Sequence, residues 1–376
     1  MQAGKAEQAI PGALNARRAG SAFFMGSVIV RVNLRIFTTE YTEFHGGKRL
    51  SYQNSVVLRV LRGYILLVTV TFLFLLAFPL FAETDLKSET SLSLAMSSLP
   101  EAKLTFTQSF TFPCFQGDNP LIKDNNIKFD LNTELTPISM NLLGKAAFTP
   151  VAFFELSAGG MLGSGWIINL FGSKVYGIGL NRPDANGRTS VDGTAFDGFF
   201  GEGHVGGTVQ FDLAALVPGE WNHVVFRSYH EIGYKMYSRA EKDMPWFFEN
   251  DDGENQNGWN YYGSYLAGYR MPIFLDTVAL LAEIEKYLYN TPGGDKWGDS
   301  LGRWTFGLLA NLTFSKKFSC VLLTQFRTLR NYTNYAYGDK DNLFYRYRDL
   351  DFNNPRTFSF YRAVLVLNYR LGTNGG

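Results

Sequence analysis

The chain has 376 residues, a formal net charge of +1, 46% hydrophobic, 16% aromatic and 18% charged residues, and 38 glycines. This balance leaves no electrostatic footprint for nucleic acid, and the apolar content excludes a disordered chain. Mean hydropathy near zero is below that of a polytopic helical membrane protein, whereas the aromatic and glycine content suits strands and membrane interfaces.

Residues 1–58 carry Lys5, Arg17, Arg18, Arg31, Arg35, Lys48 and Arg49 against three acids and show no periodic pattern, so they read as an extended leader or a start codon placed too early. Residues 59–82 read as a secretory signal peptide: Arg59 and Arg62 form a basic n-region, Tyr64 to Phe81 an apolar run, and Leu80-Phe81-Ala82 a small-residue exit before Glu83. The alternative is a single spanning helix, since about 18 apolar residues is near the minimum for a bilayer. Basic residues before the run, and Glu83 and Asp85 after it, favour export. Residues 83–100 read as a short N-terminal segment and 101–376 as the main domain.

Beyond residue 100 the apolar residues alternate with polar ones, the period of a strand that is wet on one face. In Lys103 to Phe112, Leu104, Phe106 and Phe110 oppose Thr105, Thr107, Ser109 and Thr111. In Ile127 to Leu135, Ile127, Phe129, Leu131 and Leu135 oppose Lys128, Asp130, Asn132 and Glu134. Further strands are expected over Val151 to Met161, as a pair within Trp166 to Leu180, and over Val205 to Leu213, His223 to Tyr237, Tyr261 to Arg270 and Thr277 to Tyr289. Leu301 to Phe314, Ser319 to Leu329 and Tyr361 to Leu371 complete the set. In the last of these, Tyr361, Ala363, Leu365, Leu367, Tyr369 and Leu371 are expected on the lipid face, with Phe360, Arg362, Val364, Val366, Asn368 and Arg370 opposite. Turn-rich stretches at Gln116 to Pro120, Asn181 to Gly203, Arg239 to Gly258, Asn290 to Asp299 and Asn331 to Pro355 vary in length, as long outer loops and tight inner turns do. The expected fold is all-β: one transmembrane antiparallel β-barrel of about 12 strands (10 to 14).

With these segments, the signal at Arg59 to Ala82 and the terminal strand Tyr361 to Leu371, the chain resembles outer-membrane β-barrel proteins of two-membrane bacteria. Phe153-Phe154-Glu155-Leu156-Ser157-Ala158-Gly159-Gly160 is similar to segments of spirochaete barrels. The resemblance implies an outer-membrane location, with the lipid bilayer and the outer-membrane assembly machinery as partners. The chain departs from many such proteins in following Leu371 with Gly372-Thr373-Asn374-Gly375-Gly376 rather than ending on an aromatic residue.

Catalytic and metal motifs are sparse, and no cofactor is expected. No Gly-x-Ser-x-Gly surrounds a serine; a lipid hydrolase would need a Ser or Asp beside His223 or His230 at the lipid boundary. His230 shares the parity of Val224, Phe226 and Ile232, toward lipid. Asn250-Asp251-Asp252-Gly253-Glu254-Asn255 is oxygen-rich but lacks the spacing of a calcium loop. Gly201 to Gly207 contains Gly-x-Gly-x-x-Gly without a following helix and reads as a turn. Cys114 and Cys320 leave open one bridge or two free thiols. The inner parity gathers the acids Asp130, Glu134, Glu155, Glu231, Glu283 and Glu285 and the bases Lys128, Arg227, Arg303, Arg327, Arg362 and Arg370. Such a set either pairs into a plug or lines a watery lumen. The reading is a passive channel or transporter for small solutes. The alternatives are a surface-exposed barrel whose long loops bind host or partner molecules, or other extracellular ligands, without transport, and a membrane-embedded lipid hydrolase.

Overall fold

The computed structural model describes residues 86–99, 101–170, 173–183, 189–242, 244–249, 255–288, 298, 300–335 and 348–374. The expected leader, signal peptide and cleavage site lie outside these residues, as does most of the acidic loop. No helix among the described residues is long and apolar enough to cross a membrane.

Twelve antiparallel strands close into a barrel. They are β1 (Lys87–Ser97), β2 (Glu101–Pro113), β3 (Asn126–Leu135), β4 (Ser139–Val151), β5 (Phe154–Gly165) and β6 (Phe200–Asp212). The circuit continues through β7 (His223–Tyr237), β8 (Gly258–Arg270), β9 (Leu275–Tyr287), β10 (Arg303–Thr313), β11 (Phe318–Arg330) and β12 (Arg356–Asn374). Strand β1 pairs with β12, Leu94 opposite Leu367, so no edge is left unpaired. The first and last strands meet at Ser88 and Asn374, at the same end as the connections 152–153, 271–274 and 314–317. The opposite end carries the connections 166–199, 238–257, 288–302 and 331–355, the long outer loops of such a barrel.

The strand number matches the expectation, but its members differ. The segment 83–100 contains the wall strand β1, whose inner parity is charged only near its start, as at Glu89, and then carries only the small residues Ser91, Ser93, Ala95 and Ser97. Strand β4 was not expected, because Leu143 and Ala147 on its inner parity blur the alternation. The pair within Trp166 to Leu180 does exist, as Ile167–Leu170 and Ser173–Tyr176, but forms a separate hairpin outside the wall. Gly201 to Gly207 is part of strand β6 and not a turn. Glycine is needed on the neighbouring strand: a Cβ on Gly159 would lie 2.9 Å from the His204 ring.

The outer surface is apolar, with Leu280, Leu308 and Phe306 exposed to the lipid side. On β12, Leu365 and Leu367 take the outer parity, whereas Val364 and Val366 are buried inside. One expectation fails near the start of β12. Gln325 pairs with Arg362 and Phe326 with Phe360, so Tyr361 is an extra residue in a bulge and the parity reverses. Phe360 is therefore exposed outside, and the Tyr361 ring lies against the inward Arg327, 4.1 Å from its Cζ. Toward the terminal end the interior is packed by a cluster that includes Val225, Leu266, Leu281, Leu309, Leu323 and Val366. Cys114 and Cys320 are both free thiols.

Candidate functional site

The mouth of the barrel at the long-loop end is occupied by the chain itself. Trp246–Phe248 pairs with Ile178–Pro183, which pairs with Thr189–Asp192, forming a small sheet from two different loops. Its side chains Ile178, Leu180, Trp246 and Phe248 pack on Leu143, Met161, Phe200 and Tyr237, inward-facing residues of the wall. The Phe200 and Phe248 rings stack with centroids 4.6 Å apart. Asn257 holds the loop base: its Oδ1 accepts from the Tyr237 backbone N–H at 2.8 Å and from Trp246 Nε1 at 3.1 Å.

Directly after this sheet, Glu249 turns into the barrel with a φ of 56°, in the left-handed region, and its N–H donates to the Gly177 carbonyl at 2.6 Å. The carboxylate is buried among inner-wall donors. Ser139 Oγ donates to it at 2.6 Å and Asn141 Nδ2 at 2.9 Å, while Lys103 Nζ stands 3.5 Å away. Lys103 also pairs with Glu134 at 2.8 Å. Two acids thus share one ammonium, with two neutral donors completing the cage. Burial pushes the Glu249 carboxyl above the ordinary carboxylate range, against the opposing pull of Lys103.

The twelve residues of the expected inner array lie on the inner parity of their strands, and most are engaged locally. Lys128 meets Asp130 at 3.2 Å, and Glu155 meets Lys145 at 3.3 Å. Arg303 pairs with Glu285, Arg362 with Glu101 at 2.6 Å and Arg370 with Glu89 at 2.7 Å. Glu283 accepts from Tyr262 at 2.7 Å and from Gln325 at 3.3 Å. Glu231 accepts from Tyr229, Arg327 faces Tyr361, and Arg227 lies two residues before Tyr229 on the same face. Sequence reasoning missed Lys103, Ser139, Asn141 and Glu249, which carry the tightest cage. Their only advance signal is polar character on an inner parity for the first three, and none for the loop residue.

Among the described residues one set has the donors for a metal ion: Glu202, His204 and Glu231, with one donor atom from each within 4.8 Å of the others. The His204 ring lies between the two acids, 3.9 Å from each. The zinc bond lengths of about 2 Å would require these side chains to draw together.

No family model and no curated protein matches the chain. Among solved structures it is similar to the KdgM porin, with 10% identity and a TM-score of 0.29 over 75% of this chain and 98% of that one. It is also similar to the β domain of the Bordetella autotransporter BrkA, with 10% identity and a TM-score of 0.32 over 76% and 97%. A Salmonella typhi OmpF complex with daunomycin gives 7% and 0.24 over 76% and 97%. The deciding observation is the closed strand circuit with an apolar exterior, the form in which strands cross a bilayer with their backbone groups paired to one another. The chain is an integral β-barrel of the bacterial outer membrane. Its wall contacts the bilayer through residues such as Leu280 and Leu308.

Proposed function

We propose that this outer-membrane barrel is a channel for small solutes whose outer mouth is held shut by its own loops. The observation that carries the reading is the Glu249 cage, which fastens the 238–257 loop to β2 and β4 from inside the barrel. The cage and the packing of Trp246 and Phe248 on the inner wall are both separate from the barrel's own strand ladder, so the loop can be released without unfolding the wall. The polar inner face supplies water-compatible lining, and its mixed signs give weak ion selectivity. Insertion by the outer-membrane assembly machinery, in a spirochaete-type envelope, belongs to the same reading.

Planar-bilayer recordings of the refolded chain test it. Wild-type protein should show rare, brief openings, and Glu249→Ala should lengthen them several-fold. A second reading, a surface barrel that binds ligands through its loops without transport, is favoured by the packed inner cluster around Val366. Silence from both proteins, with folding verified by the gel shift of unboiled samples, selects that second reading.

A further inference from the structure

We propose that the lipid-facing surface of β7 and β8 carries a hydrolase site for the acyl esters of membrane glycerolipids, with Ser228 as nucleophile and His230 as its general base. The side chains of Ser228 and His230 stand on the outer parity of β7, two residues apart. His230 Nε2 lies 2.9 Å from Ser228 Oγ, and His230 Nδ1 lies 2.7 Å from the Tyr261 hydroxyl on β8. The chain nucleophile, base, orienting group is that of an activated serine. Tyr261 is the positioning residue: as acceptor for Nδ1–H it holds the tautomer whose Nε2 is free to take the serine proton.

The three polar groups satisfy one another, yet they stand on the lipid face, where polar side chains are costly and apolar ones would remove the cost. Three further features point to a lipid substrate. First, the cross-strand neighbours of His230 are Gly207 and Gly263, so the imidazole is flanked by the rings of Tyr261 and Tyr265 on β8 and is left open on the side of Gly207. Second, Ser228 lines an apolar groove of about 670 Å³ whose other walls include Phe211, Phe226, Ala267, Leu280, Leu308 and Phe326. Third, the exposed Lys286 pairs with Tyr261, on the outer parity beside the site.

These features lie in the order of a lipid molecule. Tyr234 and Trp259, with ring centroids 5.4 Å apart, stand toward the long-loop end, where aromatic residues mark the headgroup boundary. Lys286 comes next, at a level suited to a headgroup phosphate. His230 and Ser228 follow at the ester level, and the groove continues from Ser228 toward the bilayer centre as a bed for one acyl chain. In the reaction, Ser228 Oγ attacks the ester carbonyl carbon while its proton passes to His230 Nε2. The tetrahedral adduct collapses, the bond from carbonyl carbon to glycerol oxygen breaks, and that oxygen takes the proton from His230. Water then attacks the acyl-serine, giving its proton to Nε2, and the departing Ser228 oxygen recovers it. The net change is ester plus water to fatty acid plus lysolipid.

The site does not depend on the channel reading, and its test does not use conductance. The full refolded chain in mixed micelles of phosphatidylethanolamine and detergent should release fatty acid. A fluorophosphonate probe should label Ser228, as located by peptide mass analysis. Ser228→Ala should abolish both signals, and His230→Asn should lower both by about 100-fold or more, within the range for loss of a general base. Tyr261→Phe should retain labelling while shifting the pH profile of release, which a purely structural role would not do. Heat-dependent gel mobility identifies variants that are folded. Folded wild-type protein that neither releases fatty acid nor reacts at Ser228, or release that survives in folded Ser228→Ala, overturns the proposal.

Discussion

Ser139 Oγ donates to Glu249 Oε1 at 2.6 Å, joining a wall strand to a loop residue 110 positions away in the chain. The same carboxylate and Glu134 both depend on Lys103, which is buried with them. Lys103→Met should therefore cost about 3–5 kcal/mol, because removing one partner leaves buried charges uncompensated. The expected readout is a lower temperature for the gel shift between folded and unfolded forms. Adding Glu249→Gln to that variant should recover much of the loss, since one stranded charge disappears; a double variant weaker than the single one would refute the cage.

The cage also fixes a pH dependence. Burial raises the Glu249 carboxyl above its ordinary value of 4.5 in the latched loop. A released loop returns the carboxylate to water and to that ordinary value. The latched state then binds the proton more tightly. Lowering the pH through the raised value toward 4.5 stabilises it relative to the released state, and raising the pH past the raised value removes this advantage. Channel openings should thus become rarer on acidification, and Glu249→Gln should make them insensitive to pH over that window. Openings that increase with acid in the wild type would reverse the assignment.

The two thiols should differ in access. Cys114 is partly exposed in the connection between β2 and β3, whereas Cys320 is buried in β11. A maleimide reagent applied to the folded protein should modify Cys114 alone, and heating in denaturant should expose Cys320. Modification of Cys320 at equal speed would mean that β11 is not packed as described.

The wall was legible where charge marks the inner parity, as with Lys128, Asp130 and Glu134 on β3. It was not legible on β4, and the reason lies outside that strand. Leu143 is apolar on an inward position because the loop sheet of Trp246 and Phe248 covers it, so the expected wet face is dry there. Strand β1 escaped for a related reason, since serines at Ser91, Ser93 and Ser97 give too weak a contrast with their neighbours. The reversal at Tyr361 needed a bulge that no local pattern announces. The period of two puts His230 toward lipid, but nothing in the sequence singles out Ser228 on the same parity, and the third member, Tyr261, belongs to the next strand and appears only once the register is known. Glu249 meets wall residues from two distant strands, information that a chain read in order does not contain.

The register itself can be tested at two adjacent residues of β9. Leu280 is 61% exposed on the outer face, while Leu281 is 5% exposed in the inner cluster. Truncating Leu281 to alanine should cost about 2–5 kcal/mol, the range for a cavity in a packed interior. Leu280→Ala should change stability little, because lipid tails fill the space. Arginine at Leu280 is a different matter: it is forced against hydrocarbon, at a cost of about 2–4 kcal/mol near the midplane and less toward the interfaces. Folding free energies of Leu281→Ala, Leu280→Ala and Leu280→Arg in lipid vesicles would measure the contrast. A one-residue slip of β9 would exchange the two faces, making Leu280→Ala the costly truncation, and that result would overturn the strand register on which both the packed interior and the lipid-face groove depend.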